Sequence, residues 1–194
     1  MKSILLSVKP EWLVKILNGE KTIEVRKKFP KDYVGWVYMY CSKNKSKGYL
    51  VKLYDHSTDD TLGYSTPYYK FEKIKDEIMP MPLNGKVVAR FWCDKVEEIH
   101  DISIMLSYHH YIGDFCNEDE ICKGSCLHWK DLGNYLEGKN GFAIHISKLE
   151  IFDRPKELSE FWNCGKQVRK GVFQYSIIHK APQNYCYIEV EENC

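Results

Sequence analysis

Residues 7–29, SVKPEWLVKILNGEKTIEVRKKF, contain the strand–helix–strand unit that decides the fold of this chain. The apolar run at residues 2–8 predicts a short buried strand. Pro10 suits the first turn of a helix, because its missing N–H would have no partner there. Trp12, Leu13, Ile16 and Leu17 then fall on one helical face, and Gly19 ends the helix.

A second strand follows the helix at residues 21–26, where apolar and polar side chains alternate. Ile23 and Val25 face one way, whereas Thr22, Glu24 and Arg26 face the other. The alternation therefore predicts a strand with one core side and one side that carries charged groups.

The rest of the chain favours strands over helices. Further strands are predicted at residues 34–41, 86–99, 141–152 and 184–190, with one hairpin inside 43–84. Helical segments are predicted at 128–137 and from Pro155 to Phe161, and a short helix followed by a cysteine-containing loop at 103–126. This order predicts a single α+β domain over residues 1–194, a β-barrel with short helices plugging or flanking it. Residues 43–84 and 163–181 are interpreted as variable excursions.

Charge is distributed unevenly along the chain. Residues 1–52 carry 12 Lys or Arg and 4 Asp or Glu, so they are strongly basic although the whole chain has a formal net charge of +1. A basic patch of this kind attracts phosphates, and a solvated face that gives solubility is the alternative. No apolar run is long enough to span a bilayer, and no signal peptide is recognisable, so a cytoplasmic protein without membrane contact is expected.

The eight cysteines are predicted to be reduced, because disulfides are rare in the cytosol. Cys116, Cys122 and Cys126 cluster near several histidines and form a possible metal site. Their spacings match no common zinc module, so the prediction is no metal, with this cluster as the alternative. No cofactor is predicted.

Several motifs, taken in order along the chain, resemble those of ASCH domains. The opening pattern appears as Lys9–Pro10 followed by Gly19, Lys21, Thr22, Ile23 and Arg26. GKVVARFWCDKVEEI (85–99) resembles the family's central strand, GFAIHISKLEIFDRPKELSEF (141–161) its closing segment, and APQNYCYIEV (181–190) the ending of the phage-type subgroup. The resemblance covers nearly the whole chain.

This resemblance implies a PUA-like mixed β-barrel and an RNA-binding cleft beside the Gly19–Thr22 loop. One group of ASCH proteins hydrolyses an acetylated cytidine nucleoside with a Lys, a Thr and a Glu, and another member resembles a ribonuclease. Lys21 matches the lysine of that group. Glu24 stands where the threonine belongs, and Ser125 stands where the acid belongs, so two of the three positions depart from the pattern.

The same cluster can be interpreted without the family. Lys21 and Arg26 are donors that can hold a phosphate, and Glu24 can accept from the exocyclic amine of cytosine. The predicted nucleic-acid-binding residues are Lys9, Lys21, Thr22, Glu24, Arg26 and Lys27, and Lys21 and Glu24 are the candidate catalytic pair. The alternative is an ordinary ion pair on an exposed strand face. Trp36, Tyr38 and Tyr40 share a face that either belongs to the core or stacks on bases.

Three functions remain open from the sequence. The first is an RNA- or modified-nucleoside-binding protein, and the second is a hydrolase of RNA or of an acylated nucleoside. The third is a phage-related accessory protein that binds another protein through 43–84 and 163–181.

Overall fold

A computed structural model describes residues 2–43, 48–55, 66–73, 82–100 and 120–190. The chain divides into two compact units. Unit 1 comprises Met1–Asn18, Trp36–Arg90 and Leu149–Cys194, and unit 2 comprises Gly19–Gly35 and Phe91–Lys148. This division does not test the prediction of a single domain, which stays a prediction.

The elements, in chain order, are mostly strands with three short helices. They are β1 Ser3–Val8, α1 Pro10–Leu17, β2 Ile23–Arg26, β3 Gly35–Cys41, β4 Tyr49–Asp55, β5 Thr66–Glu72, β6 Val87–Cys93, β7 Val96–Ile99, α2 Glu120–Ser125, α3 Trp129–Leu136, β8 Gly141–His145, β9 Ser147–Lys156, a 3₁₀ turn Leu158–Glu160, β10 Trp162–Asn163, β11 Lys166–Arg169, β12 Val172–Gln174 and β13 Tyr185–Glu189. The longest described helices have eight residues, which is too short to cross a bilayer.

The described strands form four sheets. The largest is mixed, in the order β10-β13-β1-β3-β6-β9, because β1 pairs parallel with β3 and antiparallel with β13. A three-stranded antiparallel sheet has the order β2-β8-β7, and β4–β5 and β11–β12 are two-stranded hairpins. Within the described ranges these sheets do not close into a barrel, so the α+β prediction is confirmed only as a mostly sheet fold with short helices.

Each unit has its own apolar cluster. In unit 1, Leu5, Tyr38 and Phe161 are among the side chains that pack together, and the rings of Tyr38 and Phe161 meet edge-on at 5.4 Å. The cluster of unit 2 combines β2, β7, β8 and both short helices through Ile23, Val25, Ile99, Cys122, Trp129, Leu132, Leu136 and Ala143. This second cluster lies under the strand that carries the candidate site.

The predicted strand at 86–99 is wrong as one element, because two strands replace it. β6 ends at Cys93 and β7 begins at Val96, and the two strands belong to different sheets. At the break, the Cys93 thiol donates to the Lys95 carbonyl at 3.6 Å. The polar pair Asp94–Lys95 therefore redirects the chain within an otherwise strand-like run.

The predicted strand at 141–152 is also two strands, β8 and β9. Between them, the Ile146 N–H donates to the Thr22 carbonyl and Lys148 adopts a left-handed φ of 44°. β9 then continues through Pro155, so the predicted helical turn is reduced to the 3₁₀ turn Leu158–Glu160. Pro155 is compatible with a strand at the edge of the sheet, where its missing N–H breaks no ladder bond.

Two segments predicted as loops contain regular structure. Residues 120–125 form helix α2 instead of a cysteine-containing loop. Residues 163–181 contain the β11–β12 hairpin instead of an irregular excursion. The hairpin predicted inside 43–84 is confirmed as β4–β5. The helix predicted near residue 103 lies outside the described residues.

Candidate functional site: a buried Lys–Glu–Arg cluster

Strand β2 places its charged side chains opposite its apolar ones, as the alternation in the sequence predicts. Ile23 and Val25 are 2% and 5% exposed and belong to the apolar cluster of unit 2. Glu24 and Arg26 lie on the other side, which is also covered, since the Glu24 and Arg26 side chains are only 7% and 14% exposed. The charged side of β2 is therefore an interior surface.

Helix α2 brings Ser125 to this strand. The Thr22 N–H donates to the Gly124 carbonyl at 2.8 Å. A Cβ at Gly124 would lie 2.7 Å from Cγ1 of Ile23, so only glycine permits this close approach. The chain leaves the helix through Cys126, whose φ of 56° is left-handed. The contact fixes the end of α2 beside Lys21.

Lys21 is the buried donor of the site. Its ammonium donates to the main-chain carbonyl of Ser125 at 2.8 Å and lies 3.4 Å from Oε2 of Glu24. Only 3% of the residue is exposed, and Ser125 is completely buried. The Ser125 hydroxyl donates instead to the Cys122 carbonyl at 3.3 Å. The serine side chain therefore takes no direct part in holding the lysine.

Glu24 is held between two cations. Its Oε2 faces Lys21, while its Oε1 accepts from the Arg26 guanidinium at 2.8 Å. Burial of a paired carboxylate carries a desolvation cost, and removal of its cationic partners would cost still more free energy. The ion pair of the alternative interpretation is present, but the strand face that carries it is buried and not exposed.

Burial lowers the pKa of Lys21 below its ordinary value of 10.5, because desolvation penalises the charged amine. The Glu24 carboxylate opposes this effect but does not cancel it. A lysine with a lowered pKa exists more often as the neutral amine, which can accept a proton.

This lowered pKa predicts the pH dependence of stability. The unfolded state binds more protons than the folded state between the lowered pKa and 10.5, so the contribution of Lys21 to stability rises with pH across that window. We expect the free energy of unfolding of the wild type, measured by urea denaturation, to increase relative to that of Lys21→Met as the pH is raised from 7 to 10. Lys31→Met is the control and should give a curve parallel to that of the wild type across this window, because Lys31 donates a hydrogen bond to Glu98 that raises its pKa, so its contribution to stability changes only above pH 10.5. Parallel curves for the wild type and Lys21→Met would contradict the assignment.

The remaining predicted binding residues are placed differently. Thr22 and Lys27 are exposed next to the cluster, and Lys27 donates to the Glu137 carboxylate at 2.5 Å. Lys9 is exposed in unit 1, at the start of helix α1. The structure thus brings Lys21, Glu24, Arg26 and Ser125 into direct contact, and Lys9 lies outside unit 2.

Sequence reasoning missed two features of the site. The first is the main-chain carbonyl of Ser125, since a pattern of side chains carries no signal for a backbone acceptor. The second is Tyr135, which is 40% exposed on α3 with the Lys27 ammonium 5.7 Å from its ring centre. The helical spacing of α3, which places Leu132 and Leu136 inside, could have shown that Tyr135 faces outward.

The aromatic face of β3 belongs to the core rather than to a ligand surface. Tyr38 and Tyr40 are 2% and 3% exposed. Trp36 is half-buried, and the Arg90 guanidinium stacks 4.0 Å from its ring centre. Base stacking on these three rings is therefore not supported.

One member of the predicted cysteine cluster, Cys116, lies outside the described residues. Cys122 is buried in the apolar cluster, and the Cys126 thiol donates to the Glu20 carbonyl at 3.3 Å. Among the residues described, no group of three His, Cys, Asp or Glu side chains is arranged to hold a metal ion.

Comparisons with known proteins give a likeness of fold. No protein-family model matches the chain, and no curated protein matches it. The crystal structure of ASCH from Zymomonas mobilis matches with a TM-score of 0.51 and 14% identity, covering 97% of this chain and 89% of that chain.

Crystal structures of two single-residue variants of the Zymomonas protein also match, each with 14% identity and a TM-score of 0.48. The tyrosine-to-phenylalanine variant covers 97% of this chain and 91% of its own, and the serine-to-alanine variant 96% and 88%. At this identity the likeness to the unmodified Zymomonas protein establishes an ASCH-like fold.

Proposed function

We propose that this protein binds RNA or a modified nucleoside at the Lys21–Arg26 segment of unit 2. The observation that carries the proposal is the buried cluster in which Glu24 is held between Lys21 and Arg26. Such a cluster has fixed donors and a fixed acceptor, which is what recognition of a polar ligand requires.

The charge of the cluster favours an anionic ligand. Two cationic side chains share one carboxylate, so the cluster carries an excess of positive charge when Lys21 is protonated. Electrostatic attraction is stronger in a buried site than in water. A phosphate would offset this excess, and an arginine can hold it through two parallel hydrogen bonds.

Groups at the end of β2 supply further contacts for a nucleotide. Lys27 adds a cation directly after Arg26, and its neighbour Tyr135 presents an exposed ring. Exposed aromatic rings beside cations are typical of surfaces on which unpaired bases stack. Glu24 can accept from the exocyclic amine of cytosine. These residues therefore offer contacts for the phosphate group, for the face of the base and for the hydrogen-bonding edge of the base.

The test is binding of a fluorescently labelled single-stranded RNA between 50 and 200 mM salt. We expect salt-sensitive binding by the wild type, and for Arg26→Gln a slope of log affinity against log salt that is shallower by about 0.7 for one lost phosphate contact. Lys31→Gln is the matched control, because it removes an exposed lysine of the same unit. Absence of binding by the wild type, or equal losses in both variants, would contradict the proposal.

A hydrolase of RNA or of an acylated nucleoside is the second candidate, favoured by the lowered pKa of Lys21 beside Glu24. A partly neutral amine next to a carboxylate can take and return a proton. Purified protein should then hydrolyse the acetyl group of N4-acetylcytidine or cleave RNA. The Lys21→Met variant should lose this activity while its circular dichroism spectrum shows an unchanged fold. A wild type inactive on both substrates would exclude these reactions.

The proposal has finer parts that the sequence motifs support. The ASCH-like fold would be of the PUA-like barrel type, and the chain would belong with the phage-related ASCH proteins. It would act in the cytoplasm, where a protein partner is an alternative to RNA for the exposed segments.

A further inference from the structure

The β11–β12 hairpin and its flanks, residues 162–180, are basic and contain no acidic residue. This segment has four Lys or Arg, namely Lys166, Arg169, Lys170 and Lys180, and no Asp or Glu. The hairpin lies in unit 1, whereas the Lys21 cluster lies in unit 2. A segment of 19 residues with only cationic charge has a local field that attracts anions.

Residues 162–180 also expose large aromatic side chains. Trp162, Phe173 and Tyr175 are 46%, 53% and 45% exposed, and Val168 and Val172 are also more than half exposed. Single exposed apolar residues are ordinary on protein surfaces, but a group of this size marks an interaction site. The hairpin therefore presents apolar rings to a partner that also carries negative charge.

The rings are held by the backbone of the hairpin. Phe173 lies on β12 and Tyr175 follows directly after its end, and both side chains lie beside Gly165, where an added Cβ would be 3.0 Å from Cβ of Phe173. The Tyr175 ring rests on Gly165, where a Cβ would lie 2.8 Å from its Cζ atom. A ring supported in this way loses little freedom when a flat ligand stacks on it.

The cations lie at the tip of the hairpin. Arg169 pairs with Val172 across a two-residue turn, Lys170–Gly171, in which Gly171 adopts a φ of 78°. Arg169 and Lys170 are exposed, and within the described ranges no carboxylate lies within ion-pair distance of either. At the base, the Asn163 carboxamide accepts from the Ser176 N–H at 3.0 Å and donates to its hydroxyl at 2.6 Å. The tip therefore carries two exposed cations that have no carboxylate partner in the described part of the chain, and the base of the hairpin is held by the Asn163–Ser176 hydrogen bonds.

We propose that this hairpin is a second binding surface, for single-stranded RNA, with stacking on Phe173 and Tyr175 and phosphate contacts from Arg169 and Lys170. Unpaired bases fit the exposed rings, and the backbone phosphates fit the cations at the tip. The inference goes beyond the proposed function, because the surface belongs to the other compact unit and does not require the Lys21 site to bind.

The test uses a fluorescently labelled single-stranded uridine dodecamer and the full chain. We expect Phe173→Ala with Tyr175→Ala to weaken binding about fivefold or more for each ring removed, with the salt slope unchanged. Arg169→Ala with Lys170→Ala should instead make the salt slope shallower by about 1.4, for two lost phosphate contacts. The matched control is Tyr54→Ala, which removes a 50% exposed ring beside Lys52 on β4 and should leave binding unchanged.

A second measurement does not depend on any variant. Photocrosslinking of a 4-thiouridine oligonucleotide to the wild type, followed by peptide mapping, should place crosslinks within residues 162–180. Wild-type affinity in both hairpin variants, or crosslinks confined to other segments, would overturn the inference. The inference would also be overturned if the hairpin variants still bound RNA but lost binding to a protein partner or to anionic vesicles. Failure of the Lys21 proposal has a separate signature, namely unchanged binding in Arg26→Gln.

Discussion

Replacing Glu24 with alanine is expected to lower the free energy of unfolding by about 3–5 kcal/mol, because it leaves two buried cations without their carboxylate. Lys21 is 3% exposed and keeps the Ser125 carbonyl as an acceptor but loses the carboxylate, and Arg26 loses its 2.8 Å carboxylate partner. Urea denaturation of the wild type and the variant measures this loss, with the slope of the transition as a check on two-state unfolding.

Glu137→Ala is the matched control for this prediction. It removes a carboxylate from another Lys–Glu pair of unit 2, but the Lys27 and Glu137 side chains are 42% and 63% exposed, so water replaces the lost partner. A loss of stability in Glu24→Ala as small as that in Glu137→Ala would show that the cluster is hydrated and not a buried site.

Replacing Leu132 with alanine is expected to cost about 2–5 kcal/mol, because it leaves a cavity in the apolar cluster of unit 2. Leu132 is completely buried on helix α3 and belongs to the same cluster as Ile23 and Val25 of β2. The loss of packing under β2 should also weaken binding at the Lys21–Arg26 segment. Thermal and urea unfolding measure the first effect, and titration with labelled RNA measures the second.

The control for this prediction lies on the same helix. Lys130→Ala changes an exposed position of α3, where alanine and lysine have similar helix propensities, so stability should be nearly unchanged. If Leu132→Ala and Lys130→Ala unfold at the same urea concentration, then α3 does not contribute to the core of unit 2.

The local pattern around residues 7–29 was sufficient to predict the first strand, the first helix and the second strand, because each has a clear apolar period. It also predicted which side of β2 carries Glu24 and Arg26. It failed on the burial of that side and on the contact of Lys21 with helix α2, which runs through the main-chain carbonyl of Ser125. Sequence periodicity does not reveal which distant segment covers a strand.

The long strands at 86–99 and 141–152 show a different limit. Both runs are apolar enough for a continuous strand, and both break where the chain passes from one sheet to another. The breaks are fixed by backbone bonds, such as that from Ile146 to Thr22, which residue type does not encode. The hairpin at 166–174 was missed for the opposite reason, since the side chains at 168–174 are exposed and show no core-facing alternation.

The partner of Lys21 on helix α2 is a main-chain carbonyl. Every amino acid supplies that oxygen, so point mutations at 125 cannot delete the acceptor, although a bulkier side chain must still fit a fully buried position. Position 24 has no such protection, since its carboxylate is the group that both cations share. Among homologous chains, residue 125 can therefore vary among small side chains without loss of the acceptor for Lys21. A change in the chemistry of this cluster would have to begin at residue 24.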